Sequence, residues 1–272
     1  MKVLITGANG MLGKDLCYFL DEIGCFIIPT NKEIMDITNN QIVNNVISKT
    51  KPDLIIHTAA YTDVNNAEKE KKQAEEINIE GTKNIAKAAK KYNSTLIYIS
   101  TDYVFNGEKN SPYLPNDKQN PINQYGKTKF KAELEVQKNC EKYYIIRTSW
   151  LYGLNGNNFI EKILTNKNKE IKVVEDEIGC PTWTMELIQG ILKILSMPYG
   201  IYHICSNGET SRYNLAKKII ELEKIDKTII PISQKETNST IKRPKYSVMQ
   251  SNITLKNWEE SLKEYLNLRK NS

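Results

Sequence analysis

At 272 residues the chain is long enough to bury a large core, as one domain or two unequal ones, and its 40% hydrophobic and 26% charged residues exclude a disordered or fibrous class. Net charge is +6, yet lysines are interleaved with glutamates, as in Glu68-Lys69-Glu70-Lys71-Lys72, so there is no basic stripe with aromatics of the kind that binds nucleic acid. No stretch nears the roughly 20 apolar residues of a membrane span, the opening MKVLITG lacks the layout of a signal peptide, and five scattered cysteines without a CxxC pair read as reduced thiols, so a cytoplasmic protein is expected.

The first half alternates short apolar runs with helical patterns. Lys2–Thr6 is a predicted strand, and Leu12–Ile23 carries apolar residues at helical spacing. Cys25–Pro29 is a second strand and 39–50 a helix; Asp53–Thr58 is a third strand, followed by a helical region running through Tyr92. Thr95–Ser100 and Tyr143–Arg147 are further strands, with a helix from about Tyr125 to Cys140 between them. Continuous apolar strands alternating with helices predict a parallel sheet covered on both faces, a doubly wound Rossmann-type α/β fold. After about Trp150 the rhythm changes. Asn155–Asn158 reads as loop, Ile171–Val174 as a short strand and Met185–Leu195 as a helix; Gly200–Cys205 is a strand expected to return to the main sheet. The remainder mixes short elements with Pro231, Pro244 and a final amphipathic helix near Trp258–Leu268. The expected organisation is a dinucleotide-binding domain over 1–152 and about 186–205. A smaller α/β substrate domain is built from discontinuous segments, about 153–185 and 206–272.

Gly7-Ala8-Asn9-Gly10-Met11-Leu12-Gly13 follows the first strand and opens the first helix. Glycines there let backbone approach a pyrophosphate, and a helix N-terminus offers free N–H groups and partial positive charge. The spacing is GxxGxxG, wider than GxGxxG, and its position carries the dinucleotide reading. At the end of the second strand, where an acidic residue usually holds the ribose of NAD, stand Thr30-Asn31-Lys32. Lys32 suits a 2′-phosphate and equally suits a plain surface loop. NADPH is favoured and NADH stays open.

Tyr125-Gly126-Lys127-Thr128-Lys129 starts a helix after a Pro-containing loop, with Tyr125 and Lys129 four apart on one face. A cation beside the phenol is expected to lower its pKa and ready Tyr125 to exchange a proton with a carbonyl or alcohol oxygen. Thr101, in Ser100-Thr101-Asp102-Tyr103-Val104-Phe105 at the end of a strand, is placed to donate a hydrogen bond to that same oxygen. With only His57 and His203, far apart, a histidine-based metal site or triad is not expected.

Together, TGANGMLG, STDYVF, YGKTK and Arg147-Thr148-Ser149-Trp150, in this order, resemble the extended short-chain dehydrogenase/reductase family. More narrowly the chain resembles its dTDP-4-dehydrorhamnose reductase branch, from Met1 to about Cys205 and again at Arg243-Pro244-Lys245-Tyr246-Ser247. The resemblance implies Tyr125 as proton donor and Lys129 as holder of the nicotinamide ribose. It places Thr101, Asp102 and Trp150 against the sugar, and Gly10, Met11, Leu12, Asp36, Ile37, Ala60, Tyr61 and Thr62 along the cofactor, with Asn78 in support. The implied reaction is NAD(P)H-dependent reduction of the C4 ketone of a nucleotide-linked 6-deoxysugar. Two alternatives stand beside it: a nucleotide-sugar epimerase or dehydratase, and a non-catalytic regulatory binding subunit. Dehydratases carry an acidic pair after the threonine, whereas Asp102 is followed here by Tyr103. The branch is sometimes described with a divalent ion held by glutamates at a dimer interface. Asp15 and Glu186 stand at fitting positions, but the C-terminal acid is not evident, so no metal is assigned and a homodimer is left open.

Overall fold

A computed structural model describes residues 1–237, 239 and 241–271. Five strands alternate with helices through the first half: β1 (Lys2–Thr6), β2 (Phe26–Thr30), β3 (Leu54–His57), β4 (Thr95–Thr101) and β5 (Tyr143–Thr148). The intervening helices are α1 (Met11–Glu22), α2 (Asn40–Thr50), α3 (Thr82–Lys91) and α4 (Gln124–Asn139). The second half adds α5 (Phe159–Thr165), β6 (Glu170–Val174), α6 (Thr184–Ile194), β7 (Gly200–His203), α7 (Arg212–Glu223), β8 (Thr228–Ile232) and α8 (Trp258–Lys270).

The main sheet is six-stranded in the order β7-β5-β4-β3-β1-β2, and each adjacent pair is parallel. Parallel strands must be covered on both faces, and side-chain alternation does this residue by residue. Val3 and Ile5 pack with Leu12, Leu16, Leu187 and Ile191 of α1 and α6. Leu4, between them, packs with Val43, Ile85, Ala89 and Val136 of α2, α3 and α4. The order reverses between β1 and β3, so a crevice opens outside their C-terminal ends, where ligands bind in open α/β sheets. The expected return of Gly200–His203 to the sheet is observed beside β5.

A separate apolar cluster joins Ile160, Ile163, Ile171, Trp183, Leu215, Ile219, Trp258 and Tyr265 from α5 through α8. Here β8 pairs in parallel with β6. Neither α7 nor β8 was picked out from the sequence: the run from Arg212 holds lysines on its outer face, and Pro231 interrupts the strand pattern.

The helical region expected through Tyr92 is broken. Asp63 caps a short helix Val64–Ala67, then comes a turn Lys71–Glu75 and a π-helical segment Glu76–Gly81 before α3. A π segment widens the helix by one residue and is found mainly at functional sites. Here it carries Asn78, whose side chain bonds outside the helix, as described below. Among the described residues no helix is long and apolar enough to cross a membrane.

Candidate active site

The C-terminal ends of β1, β3, β4 and β5 open on one cleft of ≈ 1010 Å³. At one end lies the glycine turn. Gly7 has φ +64, the left-handed region that disfavours a side chain, and a Cβ on Gly13 would sit 2.3 Å from the Gly7 carbonyl oxygen. The Gly10 N–H donates to that carbonyl at 2.9 Å, and Gly10 caps α1 with no side-chain hydrogen bond. The first-turn amides are therefore left for a ligand, which suits a pyrophosphate. Asn31, Lys32, Asp36 and Ile37 line the same end. Asp36 accepts from the Thr38 backbone N–H at 2.9 Å and its hydroxyl at 2.8 Å, and these bonds hold its carboxyl below the usual range. The buried Thr148 hydroxyl lines the cleft with no partner among the described residues. These features fit a dinucleotide, with Lys32 a cation lining the end away from the catalytic residues.

Of the residues picked out from the sequence, Gly7, Gly10, Met11, Leu12, Gly13, Asp36, Ile37, Ala60, Thr62, Thr101, Asp102, Tyr125, Lys129 and Trp150 lie on the cleft wall. Tyr61 does not: its hydroxyl donates to Glu70 at 2.6 Å, away from the cleft. Its backbone is held instead. Asn78 accepts from the Tyr61 N–H at 2.7 Å and donates to the Tyr61 carbonyl at 3.1 Å and the Thr128 hydroxyl at 2.9 Å. Asn78 thus ties the 60–62 loop to the helix of Tyr125.

That helix, α4, begins at an Asn123 cap whose side-chain oxygen accepts from the Gly126 N–H at 2.8 Å. Tyr125 and Lys129 share one face as expected, but the electrostatic expectation is corrected. Burial, with the nearby Asp102 charge, pushes the Tyr125 phenol above its usual range; a hydrogen bond with Thr101 opposes the rise. Lys129 is itself pushed down to about 7 by burial, with Glu133 opposing. The reason is geometric. The Lys129 ammonium donates to the Ile99 carbonyl at 2.7 Å and lies 4.2 Å from the Tyr98 ring centroid. Burial makes charge costly on both groups: Tyr125 keeps its proton at neutral pH, while Lys129, near 7, still takes one there.

The Thr101 hydroxyl donates its single proton to Asp102 at 2.9 Å and accepts from the Tyr103 N–H at 3.2 Å. Asp102 is 2% exposed and burial raises it to about 6, against the bonds from Ser247 and Thr101. The Tyr103 ring meets Tyr125 edge-on at 5.9 Å. Behind these residues, Glu133 and Arg147 form a fully buried two-bond pair at 2.9 and 2.7 Å, and Ser100 donates to Glu133 at 2.5 Å.

Beyond Tyr103 a second cavity of ≈ 550 Å³ continues among residues of α5, β6 and α7. Trp150, with φ +47, and Arg212 line both cavities. The Arg212 guanidinium stacks 3.6 Å from the Trp150 ring centroid and 5.0 Å from that of Phe159. Arg212 and Glu133 were not singled out from the sequence, and Ser247 stood only at the end of the Arg243–Ser247 motif with no role assigned. Signals existed: Arg212 opens a helix, where a cation opposes the dipole, and Glu133 extends the Tyr125–Lys129 spacing by one more turn. Asp15 and Glu186 are engaged elsewhere: Asp15 accepts from Asn155 at 2.7 Å and from Thr184, and Glu186 accepts from the Lys256 N–H at 3.2 Å.

A family model described as the RmlD substrate binding domain matches residues 1–270. The chain is 37% identical over 276 residues to the spore coat polysaccharide biosynthesis protein SpsK of Bacillus subtilis, covering 98% of each. It is 31% identical to the dTDP-4-dehydrorhamnose reductase of Escherichia coli, covering 98% of this chain and 97% of that one. A crystal structure of dTDP-4-dehydrorhamnose reductase from Bacillus anthracis, in complex with NADP, is 40% identical with a TM-score of 0.96 over 98% of this chain and 99% of that one. A UDP-glucose 4-epimerase from Thermotoga maritima, 21% identical with a TM-score of 0.83, shares the fold. With the glycine turn, the Thr101–Tyr125–Lys129 cleft and a family match along nearly the whole length, the chain belongs to the RmlD substrate-binding-domain family, within the extended short-chain dehydrogenase/reductases.

Proposed function

We propose that this protein is an NADPH-dependent reductase of a dTDP-linked 4-keto-6-deoxysugar, taking dTDP-4-dehydrorhamnose to dTDP-rhamnose in the cytoplasm. The observation that carries the reading is the convergence of Thr101, Tyr125 and Lys129 on the wall of a cleft whose other end is the glycine turn. Relatives bearing the reductase name over most of their length support the substrate, and the NADP complex of the Bacillus anthracis protein supports the cofactor.

The residues divide accordingly. The Gly7–Gly13 turn and α1 would hold the pyrophosphate, Lys32 and Asn31 the 2′-phosphate, and Asp36 with Ile37 the adenine side. Ala60 and Thr62 would flank the nicotinamide half, and Lys129 would hold its ribose. Bound NADPH supplies the hydride. Tyr125 gives the ketone oxygen its proton, and its raised pKa keeps that proton in place at neutral pH until negative charge develops on the oxygen. Lys129 stabilises that charge from one turn away. Trp150 and Arg212 receive the sugar, and the second cavity, rimmed by Lys162, Lys172 and Arg243, receives the nucleotide. On this reading 1–152 and about 186–205 serve the cofactor, and 153–185 and 206–272 serve the sugar nucleotide.

Dehydration needs a second acid after Asp102, and that position holds Tyr103, packed on Tyr125. A non-catalytic subunit needs no such set of proton-handling groups. The test is consumption of NADPH by purified protein given dTDP-4-dehydrorhamnose. Wild type is expected to turn over, and Tyr125→Phe to lose about 10²–10⁴-fold in kcat while keeping its cofactor affinity. A folded, cofactor-binding wild type that consumes no NADPH refutes the reading; so does an unimpaired Tyr125→Phe.

A further inference from the structure

The Arg243–Ser247 segment was noted in the sequence, and beyond Arg243 at the rim of the nucleotide cavity it enters the centre of the site. We propose that Ser247 is a positioning residue: its hydroxyl fixes the Asp102 carboxylate and thereby sets the direction in which Thr101 offers its one proton toward or away from Tyr125. The inference rests on the reductase reading for its kinetic consequence alone.

The segment is held as a strap from both sides. The Asn123 amide, whose oxygen caps α4, donates to the Lys242 carbonyl at 3.0 Å. The Tyr246 N–H donates to the Gly107 carbonyl at 3.2 Å, the Ile178 N–H to the Lys245 carbonyl at 2.7 Å, and the Ser247 N–H to the Ile178 carbonyl at 2.8 Å. Arg243 donates to the Asn65 side chain at 2.6 Å. The strap therefore joins the cap of the Tyr125 helix, the loop after β4 and the segment after β6, and it delivers Ser247 to a point 1% exposed.

There the Ser247 hydroxyl donates to one Asp102 oxygen at 2.5 Å, while the Thr101 hydroxyl donates to the other at 2.9 Å. A hydroxyl has a single proton. While Asp102 is ionised it takes the Thr101 proton, and Thr101 has none to offer Tyr125. Protonated Asp102 releases that hydroxyl to turn toward Tyr125 and the substrate oxygen. The balance between the two arrangements depends on how well the carboxylate is held. Other groups facing Asp102 are Tyr103 on its own turn, Tyr125 from α4, Arg212 from α7 and Cys205 after β7. Of these Arg212 favours the carboxylate, and Ser247 is the neutral donor that only the strap supplies.

The experiment is a ¹³C-carboxyl NMR titration of aspartate-labelled protein, with Asp102 assigned by its loss in Asp102→Asn. Ser247→Ala is expected to raise the Asp102 inflection by about one pH unit, the size of one lost hydrogen bond to a charged group. In reductase assays the pH inflection belonging to Asp102 moves by the same interval, with kcat at pH 7 raised about fivefold as the protonated fraction of Asp102 grows and KM little altered. Against an Asp102→Asn background, Ser247→Ala is expected to change kcat no further. An Asp102 inflection unmoved by Ser247→Ala overturns the proposal, as does an equal change of kcat in the Asp102→Asn background. Should Ser247→Ala not fold, Ser247→Cys, a weaker donor, is expected to give a smaller rise in the same direction, and no rise overturns it. If wild type consumes no NADPH, the reductase reading fails while the titration still decides the role of Ser247.

Discussion

The two ends of the cleft are built from different materials. The cofactor end is made of backbone: a left-handed Gly7, a Gly13 with no room for a side chain, and the open amides of α1. The sugar end is made of side chains from distant segments, with Trp150 after β5, Arg212 at the start of α7 and Ser247 in the strap meeting around Thr101 and Asp102. Backbone sites are local and rigid because one strand-turn-helix unit contains all their parts. Side-chain sites assembled across the fold depend on the packing of everything between. The difference teaches where each end is fragile. The first fails by a single methyl group in the wrong place, the second by loss of a contact that holds another residue.

Beneath the catalytic residues lies the buried Glu133–Arg147 pair, which links α4 to β5 and, through Ser100, to the end of β4. Removing one partner strands the other charge in the core. Glu133→Gln is expected to destabilise the protein by about 3–5 kcal/mol, the cost of an uncompensated buried charge, read by denaturant unfolding. Such a loss strikes both ends at once. A change below about 1 kcal/mol would show that the pair behaves as a surface bridge.

Gly13→Val separates the ends. Its Cβ would meet the Gly7 carbonyl oxygen at 2.3 Å, so the turn must open. Cofactor affinity is expected to fall at least about 100-fold, about 2.7 kcal/mol, in a fluorescence titration with NADPH. Arg212→Ala acts at the other end with a smaller effect: KM for the sugar nucleotide is expected to rise about tenfold, the scale of one desolvated cation–π stack plus one lost charge contact, while NADPH affinity is unchanged. If Arg212→Ala weakens NADPH as much as it weakens the sugar, the two ends are not separable.

This contrast also explains what was legible in the sequence. The β1-turn-α1 unit, the parallel strands and the Tyr125–Lys129 spacing are local patterns, and local periodicity reports them. Trp150 and Asp102 came through likeness of motif. Arg212, Ser247 and Glu133 carry no distance information in one sequence: Ser247 lies 145 positions from the carboxylate it binds. The π segment around Asn78 was read as plain helix because its extra residue is paid back by tertiary bonds to Tyr61 and Thr128. The sign of the Tyr125 shift was misread for a related reason. Spacing shows that a lysine lies near; it does not show that both groups are buried and that the ammonium is turned to the Ile99 carbonyl.

Acid tests the sheet under both ends. His57 and His203 are fully buried, and each is pushed down to about 3, first by burial and then by the charge of Lys129 or Arg147 respectively. The Arg147 guanidinium faces the His203 Nε2 at 3.4 Å, and Nδ1 lies 3.1 Å from the Tyr113 carbonyl, so a neutral ring with its proton on Nδ1 suits both neighbours. In the unfolded chain both histidines take a proton below about 6.5, and in the folded chain they do not. Their contribution to stability is therefore whole above that pH and is lost as pH falls toward the folded value of about 3. Asp102 works the other way: raised to about 6, it binds its proton in the folded state first and offsets one histidine down to its ordinary range. One uncompensated proton remains between about pH 6 and 4, giving a stability slope of about 1.4 kcal/mol per pH unit from these three groups. In His57→Gln that slope is expected to flatten toward zero over the same interval, whatever the variant's absolute stability, because Asp102 then balances His203. Urea unfolding at half-unit steps of pH reads it directly. An unchanged slope would mean that His57 already gains its proton in the folded state, and that the bonds to Thr6 and Thr82 open more easily than their 2.7 and 3.1 Å lengths imply.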